Sequence, residues 1–304
     1  MTMAQNAPRE TDPRNTETRD TETRDTETRG TEQEFDWAWA EQDDDSTWVP
    51  PAIDTSRPSA ARMYDYALGG KDNFAVDREA AEGAYRVMPD GPALARANRR
   101  FLARALRVMT EAGIRQFIDL GAGIPTSPNV HEVAREGAPD ARVVYVDNDP
   151  IVLAHNRAIL DRSDGVVTIL RDVCEPSRVL ADHQLRATVN LDEPVGLLMI
   201  AVLHFVDLAV APEVVQHYLG NLAPGSHVAL SVGTREGVAP EVTSQVEQIY
   251  SASQSPIVFR TRAQVEQLVD GLELLEPGLA EVNRWRAQDD PLTMRMLAGV
   301  GIRR

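Results

Sequence analysis

Asp119-Leu120-Gly121-Ala122-Gly123 closes a short apolar run that begins at Gln116. About two dozen residues later a second apolar run, Val143-Val144-Tyr145-Val146, ends in Asp147. Residue types at this spacing suit an adenosyl ligand. Glycines at 121 and 123 adopt backbone torsions, and permit an approach, that a Cβ atom would block. A carboxylate beyond the next strand accepts both hydroxyls of a ribose. Asp147 is followed by Asn148, Asp149 and Pro150. Asp149 before a proline has the spacing of a helix cap, which leaves Asp147 for the ligand with Asn148 beside it. Asp119 either orders the turn or meets an ammonium through water. Asp172 ends Leu170-Arg171-Asp172. An acid there accepts an adenine amino group while the Val173 amide meets a ring nitrogen; the competing reading is a cap for the helix after Glu175. A third glycine at the dinucleotide spacing is missing, because Ile124-Pro125-Thr126 follow Gly123. Tight packing of a pyrophosphate on a helix N-terminus is therefore disfavoured.

Two side chains are candidates for catalysis. His204 follows a fourth apolar run in Ile200-Ala201-Val202-Leu203-His204-Phe205-Val206-Asp207, where it reads as a general base, as a wall of the pocket or as a core histidine. Tyr64 lies in Arg62-Met63-Tyr64-Asp65-Tyr66-Ala67-Leu68-Gly69-Gly70-Lys71-Asp72-Asn73-Phe74. This polar block has no clear period and reads as a lid over a pocket or as a hydrogen-bonded loop. Asn129 is placed to cap a helix, and His131 reads as a packing histidine or a site residue. The lone Cys174 excludes an internal disulfide framework and a cysteine-based zinc site, and no metal is expected.

These residues need a scaffold that brings strand ends together. The pattern predicts strands at 116–120, 142–147, 166–170, 195–200 and 227–232. Helices are predicted at 93–111, 129–136, 151–161, 175–184, 212–222, 241–251 and 262–269. Apolar runs without alternation indicate strands covered on both faces. Strand–helix alternation gives an α/β, Rossmann-like doubly wound sheet. Two late apolar runs, 272–275 and 294–302, have no helix between them and predict a C-terminal hairpin with one antiparallel strand. That ending separates the class I methyltransferase version of the fold, with seven strands, from the nucleotide-dehydrogenase version.

Residues 1–55 read as a separate acidic tail and 56–304 as the folded domain. Residues 16–30 repeat Thr-Glu-Thr-Arg with a period of five and no apolar side chain, so burial cannot offset the cost of ordering them. Phe35, Trp37, Trp39 and Trp48 then lie among acids, as a docking peptide or as a tail without function. Of the net charge of −16, residues 1–50 hold 14 acidic and 5 basic side chains. The rest is only mildly acidic, and no basic stripe points to a nucleic acid. No apolar run reaches the ~18 residues of a membrane span, and the polar N-terminus lacks the apolar core of a secretory signal. The expectation is a cytoplasmic protein of unspecified oligomeric state.

Tyr64–Phe74, Asp119-Leu120-Gly121-Ala122-Gly123-Ile124-Pro125-Thr126-Ser127-Pro128-Asn129-Val130-His131-Glu132-Val133-Ala134, Tyr145–Leu153, Leu203-His204-Phe205 and Leu297-Ala298-Gly299-Val300-Gly301 resemble the actinobacterial S-adenosyl methyltransferase family, long a domain of unknown function. The resemblance covers about 56–304. It implies a class I methyltransferase fold with an N-terminal helical lid, and S-adenosylmethionine at Gly121, Gly123, Asp147 and Asp172. It also implies pocket roles for Tyr64, Gly69, Gly70, Asn129 and His131. The expected activity is methylation of an oxygen or nitrogen on a small molecule, with His204 or Tyr64 assisting. The alternatives are a non-catalytic adenosyl-binding regulator and an NAD(P)-dependent oxidoreductase.

Overall fold

Strands β1 (Gln116–Leu120), β2 (Arg142–Asp147), β3 (Val166–Leu170), β4 (Gly196–Ile200) and β5 (His227–Thr234) pair in parallel in the order β3-β2-β1-β4-β5. Each is an apolar run because helices cover both faces, which removes the alternation of a half-wet strand. Successive residues still point to opposite sides. Ile118, Leu120, Val144, Leu197 and Met199 enter one core with Val179, Leu185, Val215 and Leu268. Phe117, Val143, Tyr145 and Leu198 enter the other with Phe101, Met109 and Val133. The computed structural model describes residues 54–160 and 163–304, all within a compact unit spanning Ser46–Arg304. The pentapeptide tail, the acidic aromatic segment and the predicted end of the 151–161 helix lie outside the described residues.

Between these strands lie α4 (Val130–Gly137), α5 (Pro150–Leu160), α6 (Pro176–Ala181), α7 (His183–Thr188), α8 (Ala211–Gly220), α9 (Pro240–Tyr250) and α10 (Arg262–Leu268). A single helix was expected over 175–184, yet the chain breaks at Asp182. The Asp182 carboxylate accepts the backbone N–H of Gln184 at 2.9 Å and pairs with Arg171 at 3.0 Å, so it starts α7 and does not continue α6. The last strand, β8 (Arg295–Arg303), runs antiparallel to β5 over eight residue pairs. β6 (Leu272–Leu274) and β7 (Ala280–Glu281) both pair with β8. The final position of the sheet is thus shared by two short strands, and a long connection replaces a tight hairpin.

Three helices precede the sheet: α1 (Ala60–Leu68), α2 (Ala75–Tyr85) and α3 (Gly91–Glu111). A buried ion pair fastens the first two. Arg62 Nε meets Asp77 Oδ2 at 2.7 Å with both side chains fully enclosed. Asp77 also accepts the backbone N–H groups of Ser59 and Phe74, at 2.9 and 2.8 Å, the residues that precede α1 and α2. One carboxylate therefore satisfies the orphan donors at two helix starts. The second half of the 62–74 block turns around Asp65. Its carboxylate accepts from Asp72 N (2.9 Å) and Asn73 Nδ2 (2.8 Å).

Candidate active site

The sheet order reverses between β1 and β4, so their carboxyl ends open a crevice. Gly121 leaves β1 with φ +72°, and its N–H donates to Val146 O at 2.8 Å. A Cβ on Gly121 would stand 2.4 Å from Val202 Cγ2, so the two strand exits touch only because residue 121 has no side chain. Gly123 has φ +65°, and a Cβ there would meet nothing within 4 Å. That side of the turn is open space. Across the crevice Ala201 holds φ +57°, a left-handed conformation costly for a residue with a Cβ. Its N–H is held at 3.0 Å by both the carbonyl and the hydroxyl of Ser231.

Three acids line the strand ends. Asp147 is half-buried. Its Oδ2 accepts Gly123 N–H at 2.8 Å and its Oδ1 accepts Asp149 N–H at 2.9 Å. Each oxygen keeps a lone pair for a ligand hydroxyl. Burial pushes the Asp147 pKa up to about 6, against the lowering effect of those amides. Asp149 is the cap of α5, accepting Ile151 N–H at 2.8 Å, and also accepts Ser59 Oγ at 3.1 Å. Asp119, at the end of β1, is buried, which drives its pKa up to about 7. Arg99 opposes that shift and Asp147 adds to it. Asp172 accepts Cys174 N–H at 2.7 Å and the Asn148 side-chain amide at 3.3 Å, joining the ends of β2 and β3. The Val173 carbonyl accepts Tyr218 O–H at 3.0 Å.

His204 sits on a 3-10 turn, Leu203–Phe205. Its Nδ1 accepts the N–H of Gly233 at 3.3 Å, so the neutral ring carries its proton on Nε2. Burial, reinforced by Arg260, lowers its pKa to about 3. A ring with no free basic nitrogen is at odds with the expected general base. Tyr64 is at odds with it too: its O–H donates to Ala95 O (3.2 Å) and accepts from Asn98 Nδ2 (3.0 Å), and burial raises its pKa. Asn98 Oδ1 in turn accepts Ser231 Oγ–H at 2.6 Å. Tyr64, Asn98 and Ser231 thus form a buried line from α1 to the strained Ala201.

Four other expected site residues have structural employment. Gly69 ends α1 with φ +84°. A Cβ on Gly70 would stand 1.9 Å from Asp65 Oδ1, so that glycine admits the carboxylate that organises its own loop. Asn129 precedes α4, with its side chain 3.2 Å from Glu132 Oε2. His131 is buried, and its Nδ1 and backbone N lie 2.9 and 3.0 Å from Tyr145 Oη. Burial lowers its pKa.

Sequence reasoning missed Arg99, Asn98, Ser231 and Ala201. Asn98 carries a signal, being a fully buried amide inside the apolar stripe of α3. Ala201 carries none. Among the described residues no cluster of three metal-ligating side chains occurs, and no helix is long and apolar enough to cross a membrane.

A family comparison gives the cofactor. The S-adenosyl methyltransferase family model matches residues 46–304. The chain belongs to that family. Its members include methyl-transferring enzymes that use S-adenosylmethionine, and this chain is such an enzyme. Among solved structures it is similar to a DUF574 family protein of Streptomyces avermitilis, 41% identical over 83% of this chain and 99% of the other, with a TM-score of 0.78. A proposed methyltransferase of Thermobifida fusca is 36% identical over 85% and 99%, also with a TM-score of 0.78. No curated protein matches the chain. Family membership and the antiparallel β8 replace the NAD(P) oxidoreductase alternative. The crevice has room and polar groups for the methyltransferase cofactor on its own terms: open space at Gly123, a half-buried carboxylate at the end of β2, and an acid just beyond β3.

Proposed function

We infer that the enzyme methylates an oxygen or nitrogen of a small planar molecule seated against aromatic side chains beside the cofactor crevice. The observation that carries this reading is a run of rings leading away from the end of β4. His204 and Phe205 are 4.5 Å apart, Phe205 and Tyr250 are 6.2 Å apart, and Tyr66 and Tyr85 stack at 6.3 Å with 12° between planes. Tyr85 is on α2, which packs against α9, the helix that carries Tyr250. Phe205, Tyr250, Tyr85 and Tyr66 are all half-buried, the state of a wall that keeps one face for a partner. Offset and edge-on ring contacts favour a flat, unsaturated acceptor.

Bound S-adenosylmethionine supplies a methyl group on a sulfonium. Gly121 and Gly123 admit it, Asp147 takes the ribose hydroxyls, and Asp172 with the Val173 amide takes the adenine edge. The neutral His204, a donor at Nε2, and Tyr64, tied through Asn98 and Ser231, act as positioning residues. In-line transfer needs alignment and exclusion of water more than a base, which accords with a histidine whose Nδ1 lone pair is already engaged and a tyrosine whose O–H proton is already donated.

Turnover of methyl-labelled S-adenosylmethionine against a panel of hydroxylated and aminated aromatic compounds tests the reading. Phe205→Ala and Tyr250→Ala are expected to raise KM for the acceptor by about tenfold and to leave affinity for S-adenosylhomocysteine unchanged. Turnover confined to macromolecular acceptors, or indifferent to both substitutions, would contradict it.

A further inference from the structure

Ala201 is the first residue beyond β4, and it takes a left-handed conformation, φ +57°, without being glycine. Contact of its Cβ with the backbone makes that conformation costly, so something must hold it. The hold is a directed chain of hydrogen bonds. Ala201 N–H donates to Ser231 Oγ at 3.0 Å. Ser231 O–H donates to Asn98 Oδ1 at 2.6 Å. Asn98 Nδ2 donates to Tyr64 Oη at 3.0 Å, and Tyr64 O–H donates to Ala95 O at 3.2 Å. Both ends fix the direction, since a backbone N–H only donates and a carbonyl only accepts. Bonds aligned in one direction polarise one another and strengthen the chain. Asn98 and Ser231 are fully buried, where a polar group left without its partner is costly.

The residue after Ala201 is Val202, whose side chain occupies the space that a Cβ on Gly121 would need. The 203–205 turn follows, with His204 Nδ1 held by Gly233 N–H at 3.3 Å. The backbone at 201 therefore sets how closely the β4 exit approaches the glycine turn, and where Phe205 stands beside it. The far end of the chain is Tyr64 on α1, in the helical cap. The structure assigns Asn98 as a positioning residue that holds Ala201 left-handed and ties the β4 exit to the seating of α1. This explains an amide in the apolar stripe of α3, where it lies buried with Ala97, Phe101 and Leu102. The assignment rests on the cofactor crevice at Gly121 and is independent of the chemistry of the acceptor.

Glycine takes a positive φ at no steric cost, so Ala201→Gly makes the hold dispensable and separates it from a general role in packing. The readout is calorimetric titration of the full chain with S-adenosylhomocysteine. Ser231→Ala removes one hydroxyl from the chain and is expected to weaken binding by about tenfold while residue 201 is alanine. Added to Ala201→Gly, the same substitution is expected to cost less than about twofold relative to Ala201→Gly alone. Tyr64→Phe cuts only the link to α1 and is expected to lose about threefold, with the same relief. Asn98→Leu is expected to follow Ser231→Ala in both backgrounds; if it does not fold, the Ser231 and Tyr64 variants decide. Equal losses in the two backgrounds would mean that these groups only pack, which overturns the assignment. Unchanged binding in Ser231→Ala overturns it as well, and unchanged binding in Tyr64→Phe overturns the tie to α1. Those results leave the cofactor crevice standing, whereas failure of wild type to bind overturns the crevice and the assignment together.

Discussion

Asp147 bridges the glycine turn and the end of β2 through two backbone amides, and burial holds its pKa at about 6. To accept two ribose hydroxyls it must be ionised. Affinity for S-adenosylhomocysteine is therefore expected to fall by about tenfold for each unit of pH below 6, and binding near pH 5.5 to release a proton. Titration in two buffers of different ionisation enthalpy measures both. Asp119 has a folded-state pKa near 7, above the roughly 3.9 of an unfolded aspartate. A raised carboxylate contributes stability that is fully present below pH 4 and lost as pH rises through 7. Asp119→Asn is expected to raise the melting temperature of the ligand-free protein by a few degrees at pH 8, with a gain that shrinks toward pH 4. At Gly121 a methyl group meets the stiff, branched Val202 at 2.4 Å and a φ of +72°, so Gly121→Ala is expected to cost more than about tenfold in ligand affinity. These acids and glycines were readable because each follows an apolar run at a fixed offset. Arg99 was not, since its meaning depends on a loop 27 residues away.

At the scale of elements, the helical cap is fastened by contacts that span the chain. Asp77 closes the starts of α1 and α2 and neutralises Arg62. Asp77→Ala leaves a buried guanidinium unpaired. A loss of about 3–5 kcal/mol is expected, seen in thermal melts as a fall on the order of 10 °C. The same distance in sequence explains what pattern reading saw and did not see. β1, β2 and β3 were legible to the residue because each is a five- or six-residue apolar run bounded by a turn signal. The 62–74 block showed no period because a helix ends inside it at Gly69 and a loop built on Asp65 follows. The break at Asp182 was hidden because residues on both sides of it suit a helix. Only the contact with Arg171, eleven residues upstream, shows which way the carboxylate turns.

For the molecule as a whole, the sheet order puts Gly121 and Val202 at one switch point and brings α1, α3 and the ends of β2, β3 and β4 around it. Ligand binding at such a point adds contacts to several elements at once. S-adenosylhomocysteine at a hundred times its Kd is expected to stabilise the protein by about 2.7 kcal/mol, a rise of roughly 5–10 °C in Tm. The account turns on Asp147 as the ribose acid of the S-adenosylmethionine site. Calorimetric titration of S-adenosylhomocysteine into wild type and Asp147→Ala at pH 7.5 tests that most directly. Micromolar binding to wild type, weakened about a hundredfold in the variant, is the predicted result. Equal binding to both would contradict the account.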